Sequence, residues 1–159
     1  LPTKPFLIDP REYDLDRPLY GIEAIRNYLE HRHEMEQLSG VLRLDPEARI
    51  IVGFKRYGQD EFWVRGHIPG RPILPGVLMI EAAAQLGTFW AKLAQPEKRG
   101  FWALAAVDEV RFRGSVGPGE ALLIAGHITE IRSRFMRLEF QGFLAEKQVV
   151  EGTLTGMLV

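Results

Sequence analysis

VLMIEAAAQLGTFWAKLA, residues 77–94, has apolar side chains on nearly every side of a helical wheel, and Glu81 is the one ionisable residue before Lys92. Such a helix is expected to be enclosed by protein. Pro75 and Gly76 precede it, and Pro96 and Gly100 mark its exit. Beyond Gly100 the pattern turns to strands: FWALAAVDEVRFRG (101–114), EALLIAGHITEIR (120–132), FMRLEFQGFLAE (135–146) and QVVEGTLTGMLV (148–159). Turns are expected at Gly117-Pro118-Gly119, Arg132-Ser133 and Glu146-Lys147, which makes the four strands a meander. Upstream, Val41 to Leu44 and Ile50 to Phe54 are apolar runs split by Asp45-Pro46-Glu47, a turn with its proline preset at the second position. That is a hairpin. An antiparallel sheet wrapped around one long helix is the simplest way to bury that helix, so the fold class is α+β.

Between hairpin and helix, residues 62–76 hold three prolines and three glycines, too many for a helix or a central strand. A shaped loop is predicted there. Residues 1–17, with Pro2, Pro5 and Pro10, read as an extended arm; Pro18 followed by Ile22, Ile25 and Leu29 predicts a short amphipathic helix near 19–31.

The chain has 159 residues, 46% apolar and 26% charged, the balance of one soluble domain spanning 1–159, with 1–30 as arm and short helix. Lys+Arg 20 against Asp+Glu 21 leaves a net charge of -1, so no whole-molecule field holds the chain on nucleic acid or anionic lipid. Cys 0 excludes a disulfide framework, a thiolate metal site and a cysteine nucleophile, and fits a reducing, cytoplasmic setting. The N-terminus lacks the basic start and apolar core of a signal peptide, so export is not expected. Ile73 to Ala91, the most apolar stretch, is broken by Pro75, Gly76, Glu81, Gln85 and Gly87, which argues for a buried helix over a membrane span.

Chemistry concentrates around the start of the long helix. Glu81, alone among apolar neighbours, either serves the helix dipole or does work. His67, fourteen residues earlier in GHIPGRPILPG, is a candidate general base, the alternative being a hydrogen-bonding loop residue. Gly76 opens the helix, where unpaired N–H groups and the positive dipole end can receive an oxygen carrying partial negative charge; its alternative role is tight packing. A base, an acid and a helix N-terminus are what abstraction of a proton next to a carbonyl requires. His31 and His33 hint at metal, but no third ligand cluster accompanies them, so no metal site is expected; His127 reads as a strand residue.

GHIPGRPILPGVLMIEAAAQ (66–85) resembles the active-site segment of the β-hydroxyacyl-acyl carrier protein dehydratases of bacterial fatty acid synthesis, a hot-dog fold family. ALAAVDEVRFRGSVGPGEALLIAGHITEI resembles the strands that follow in that family, and His31-Arg32 with LDPEARII resembles its N-terminal segment, so the likeness covers about 31–159. The resemblance implies His67 as base, Glu81 as acid on the leaving hydroxyl, the Gly76 N–H on the thioester carbonyl, and Gln85 orienting Glu81 or the substrate. It also implies a homodimer whose sheets join and whose sites combine His from one subunit with the acid of the other, and it implies no cofactor. Glu at position 81 matches the dehydratase-only branch. Ile68, Arg71, the segment HEMEQLSG (33–40) and the 1–30 extension depart from the family pattern. For an acidic acyl carrier protein, Lys98, Arg99, Arg111 and Arg113 are candidate docking residues, with routine strand-face solvation as the alternative. Two other functions are weighed: a hot-dog acyl thioesterase, against which the HxPG-to-Glu spacing argues, and a non-catalytic carrier-binding module, for which keeping both His67 and Glu81 has no reason.

Overall fold

The computed structural model describes residues 4–159; the first three residues of the predicted arm lie outside them. In chain order the elements are β1 (Tyr20–Gly21), α1 (Ile22–Arg26), β2 (Gly40–Asp45), β3 (Ile50–Arg56), α2 (Gly76–Ala94), β4 (Trp102–Phe112), β5 (Ala121–Arg132), β6 (Phe135–Leu144) and β7 (Lys147–Leu158). The strands form one antiparallel seven-stranded sheet in the order β1-β2-β3-β5-β6-β7-β4. It curls around α2, the hot-dog arrangement that the sequence implied.

Strand β3 shows why the sheet needs cover on both faces. Ile51 faces inward with Leu86, Phe89, Ile124 and Leu138 in the cluster around α2, whereas Ile50, Val52 and Phe54 point outward with Leu123 and Phe143. The arm supplies the outer cover. Ile8 is buried against that outer cluster, and Phe6 meets the Phe143 ring edge-on at 5.0 Å. Gln141 fixes the arm's path, accepting from the Leu7 N–H at 2.8 Å and donating to the Pro5 carbonyl at 3.0 Å. Inside, α2 approaches β6 closely at Gly87, where an added Cβ would stand 3.1 Å from both Leu138 and Met136.

Four expectations are corrected. The short helix covers Ile22–Arg26, not 19–31, because Leu19 donates to the Val41 carbonyl and Tyr20–Gly21 pair with β2, which takes the N-terminal residues into the sheet. The four C-terminal strands are not a simple meander: β5, β6 and β7 are consecutive, but β4 crosses to the far edge beside β7. The long helix is not enclosed on every side either. Val77 is 68% exposed, and with partly exposed Ile80, Glu81 and Ala84 it forms an open stripe at helical spacing. Turn positions shift by one residue, to Ser133-Arg134 and Ala145-Glu146.

Candidate active site

His67 lies in the irregular segment between β3 and α2, which two buried anchors shape. Trp63 packs edge-on to Tyr57 at 6.0 Å, and the Leu74 N–H donates to the Val116 carbonyl at 2.7 Å. The His67 N–H donates to the Trp63 carbonyl at 2.7 Å, and its ring Nδ1 is 2.6 Å from the Ile73 carbonyl oxygen. A carbonyl only accepts, so Nδ1 carries the proton and Nε2 presents the lone pair. The neighbouring Ile68 has φ 62, left-handed backbone that a β-branched residue rarely adopts. Strain of that kind costs on the order of 1–3 kcal/mol and persists where surrounding contacts over-determine the chain, here immediately beside His67.

Glu81 sits in the second turn of α2 with its side chain 25% exposed, so it is half-open to a pocket rather than sealed in the core. Gln85, one turn on, donates from Nε2 to Glu81 Oε1 at 2.7 Å. Gln85 is in turn gripped by the 33–40 segment: its Nε2 donates to the Met35 carbonyl at 2.7 Å and its Oε1 accepts from the Gln37 N–H at 2.9 Å. The Tyr57 hydroxyl donates to Gln37 Oε1 at 3.1 Å, and burial pushes that phenol well above its usual pKa. The 33–40 segment is therefore the one that holds Gln85.

The segment is itself pinned by Arg26, whose guanidinium donates to both Glu36 carboxylate oxygens at 2.6 and 2.9 Å. Those bonds hold Glu36 below its usual carboxylate range.

Gly76 begins α2 with no side-chain cap and no acidic residue in the first turn, which leaves that end of the dipole open. Its tight-packing role is also real, since a Cβ there would lie 2.8 Å from the Phe112 ring.

The structure joins these groups in two sets. Glu81, Gln85 and His31 share a pocket of about 80 Å³ with Thr88, Trp102 and Leu104. His67, bonded to Ile73, is not among the residues that line that pocket. His31, which the sequence offered as a possible metal ligand and as part of the His31-Arg32 resemblance, has Nε2 at 3.4 Å from Glu81 Oε1; nothing in the HRH spacing signals that contact, because it depends on a path from α1 to α2.

The four basic candidates also divide. Lys98 and Arg99 border a groove with Arg32 and Lys92 before β4 begins, while Arg111 is exposed at its far end, roughly 30 Å along an extended strand. Arg113 is paired with the mostly buried Glu151 at 2.7 Å.

No described helix is long and apolar enough to cross a membrane.

The sequence model of the FabA-like domain matches residues 29–153. A 3-hydroxyacyl-acyl-carrier-protein dehydratase FabZ from Moorella thermoacetica is 37% identical over 132 residues, covering 82% of this chain and 91% of that protein. A FabZ of the same description from Desulfotalea psychrophila is 32% identical over 150 residues, covering 93% of this chain and 95% of its own length. Among solved structures, a chain of the dehydratase heterocomplex ApeI:P from Xenorhabdus doucetiae superposes with a TM-score of 0.74 at 19% identity, over 85% of this chain and 90% of that one. A hypothetical thioesterase from Streptococcus pneumoniae, solved with coenzyme A, superposes with a TM-score of 0.56 at 9% identity, over 75% and 84% of the two chains. At such identities the structural likeness speaks for the fold alone, but the sequence matches reach further, and by them this chain belongs to the FabA-like domain family.

Proposed function

We propose that the protein is a 3-hydroxyacyl-acyl-carrier-protein dehydratase, a lyase that converts β-hydroxyacyl thioesters into trans-2-enoyl thioesters in fatty acid or related lipid synthesis. The observation that carries the reading is the contact of His67 Nδ1 with the Ile73 carbonyl, which leaves Nε2 bare as a base. His67 Nε2 takes the C2 proton, the Gly76 N–H and the α2 dipole stabilise charge growing on the thioester oxygen, and Glu81 protonates the C3 hydroxyl as it leaves. The C2–H and C3–O bonds break, the C2=C3 bond forms, and water departs. The chemistry asks for no cofactor.

The two sets of groups are brought together by a second subunit. β4 is a sheet edge with no further strand beside it among the described residues, and it carries Leu104 at 45%, Val107 at 44% and Phe112 at 51% exposure. Antiparallel pairing of β4 with its copy about a two-fold axis sets the first residues of one strand against the last of the other. Trp102 and Leu104 line the Glu81 pocket, and Phe112 covers Gly76. Such a homodimer therefore places Glu81 of each subunit near the His67 and Gly76 end of its partner. The same operation brings Lys98 and Arg99 toward the partner's Arg111, a basic rim for an acidic carrier protein. Arg113, engaged with Glu151, contributes least to that rim. With Cys 0 the chain is suited to the cytoplasm.

A purified 3-hydroxyacyl thioester separates this reading from that of a thioesterase. Appearance of the conjugated enoyl absorbance without free thiol is expected; thiol release without the enoyl band contradicts it.

A further inference from the structure

Two side chains converge on one oxygen of Glu81. Gln85 Nε2 donates to Oε1 at 2.7 Å, and His31 Nε2 stands 3.4 Å from the same atom. We propose that His31 is a positioning residue for the dehydration: with Gln85 it holds Oε1 as a hydrogen-bond acceptor, so that the proton to be delivered rides on Oε2. The inference rests on the reading of Glu81 as the acid.

The backbone that presents His31 is tied down. The Arg32 guanidinium donates to the carbonyls of Leu29 and His31 at 2.7 Å each and of Arg26 at 3.0 Å, which fixes the chain leaving α1 as it reaches α2. The ring's orientation assigns its proton. Nδ1 is buried with no hydrogen-bond partner among the described residues; the residue also borders a small cavity lined by Ile22, Ile25, Leu29 and Leu38 together with Arg26, Glu36 and Gln85. A buried N–H without an acceptor is the rarer and costlier orphan. The bare nitrogen is therefore Nδ1, and the N–H is on Nε2, the atom facing Glu81. A separation of 3.4 Å is a few tenths beyond an ordinary N–H···O bond, and such contacts tighten when substrate closes a site.

A neutral carboxyl group has one carbonyl oxygen and one hydroxyl oxygen. With the Gln85 N–H bonded to Oε1 and the His31 N–H closing onto the same atom from 3.4 Å, the O–H is Oε2–H. During the reaction the Oε2–H bond breaks, its proton joins the C3 hydroxyl oxygen, and water leaves. The charge left on the carboxylate then falls on the oxygen that Gln85 and His31 face.

The test compares His31→Gln, His31→Asn and His31→Leu by saturation kinetics of enoyl formation from a 3-hydroxyacyl thioester, each also in a Glu81→Gln background. A glutamine amide reaches the position of Nε2, an asparagine amide ends near Nδ1, and leucine has no donor. Leu and Asn are expected to lower kcat about tenfold or more with KM within about twofold, and Gln to recover kcat to within about threefold. In the Glu81→Gln background His31→Leu should not change the residual rate, because His31 acts through Glu81. Equal rates for all three variants, a loss confined to KM, or an undiminished effect in the Glu81→Gln background overturns the proposal. If leucine prevents folding, the Gln and Asn pair decides. A Glu81→Gln enzyme with the full wild-type rate removes Glu81 as the acid, a failure separate from that of His31.

Discussion

The Ile73 carbonyl, 2.6 Å from His67 Nδ1, and the Gln85 amide, 2.7 Å from Glu81 Oε1, give the two proposed reacting side chains different kinds of support. A backbone acceptor selects the histidine tautomer, and a side-chain donor orients the carboxyl group. His67 and Glu81 are both partly exposed, so removing the reacting group should cost rate and leave folding intact. We expect His67→Ala and Glu81→Gln each to lower dehydration by about 10²-fold or more with unchanged melting curves, read by parallel kinetics and thermal unfolding. If Glu81 only balanced the α2 dipole, the rate would hold and stability would fall by at most about 1 kcal/mol. The positions of His67, Gly76, Glu81 and Gln85 were legible in the sequence because their spacing along one loop and one helix is local. His31 was not legible. Its contact joins residues fifty positions apart in the chain, and no periodicity reports a meeting of that kind.

At the scale of elements, the 33–40 segment and the arm do work that hydrophobic pattern alone does not announce. Arg26 holds Glu36, and the segment so pinned holds Gln85 through the Met35 carbonyl and the Gln37 N–H. Because Glu36 titrates lower folded than unfolded, its contribution is present above the ordinary carboxylate pKa and disappears as pH falls through its depressed folded value. Glu36→Gln is expected to cost about 1 kcal/mol at neutral pH, after allowing for the partly exposed Arg26, and the difference from wild type should vanish in acid. Denaturant melts at neutral and acid pH measure this, and a constant difference would remove the ion pair as its source. The arm makes a stability argument instead. Ile8 is buried on the outer face of the sheet, so Ile8→Ala should destabilise by about 2–3 kcal/mol without altering kcat; a negligible shift in the unfolding midpoint would show that the arm is not bound in solution. Strands and α2 were readable because their runs are long and periodic. Helix α1 shrank because Tyr20 and Gly21 found a strand partner in β2, a tertiary choice that outweighs local helical spacing.

For the whole molecule, the sequence foresaw a sheet around a helix but not the crossing of β4 to the far edge, since strand order is set by which edges remain free after β5, β6 and β7 have paired. That crossing leaves β4 as an unpaired edge with Leu104, Val107 and Phe112 exposed among charged Asp108, Glu109 and Arg111, and α2 with an open stripe through Glu81, the two features on which the proposed shared site depends. The direct measurement is complementation. His67→Ala and Glu81→Gln chains, unfolded, mixed in equal amounts and refolded together, should give about half heterodimers, each with one intact and one doubly damaged site. Recovery of about a quarter of the wild-type dehydration rate is predicted for random pairing and independent sites. A mixture as inactive as its two components would mean that His67 and Glu81 of a working site come from the same chain, and it would contradict the shared site.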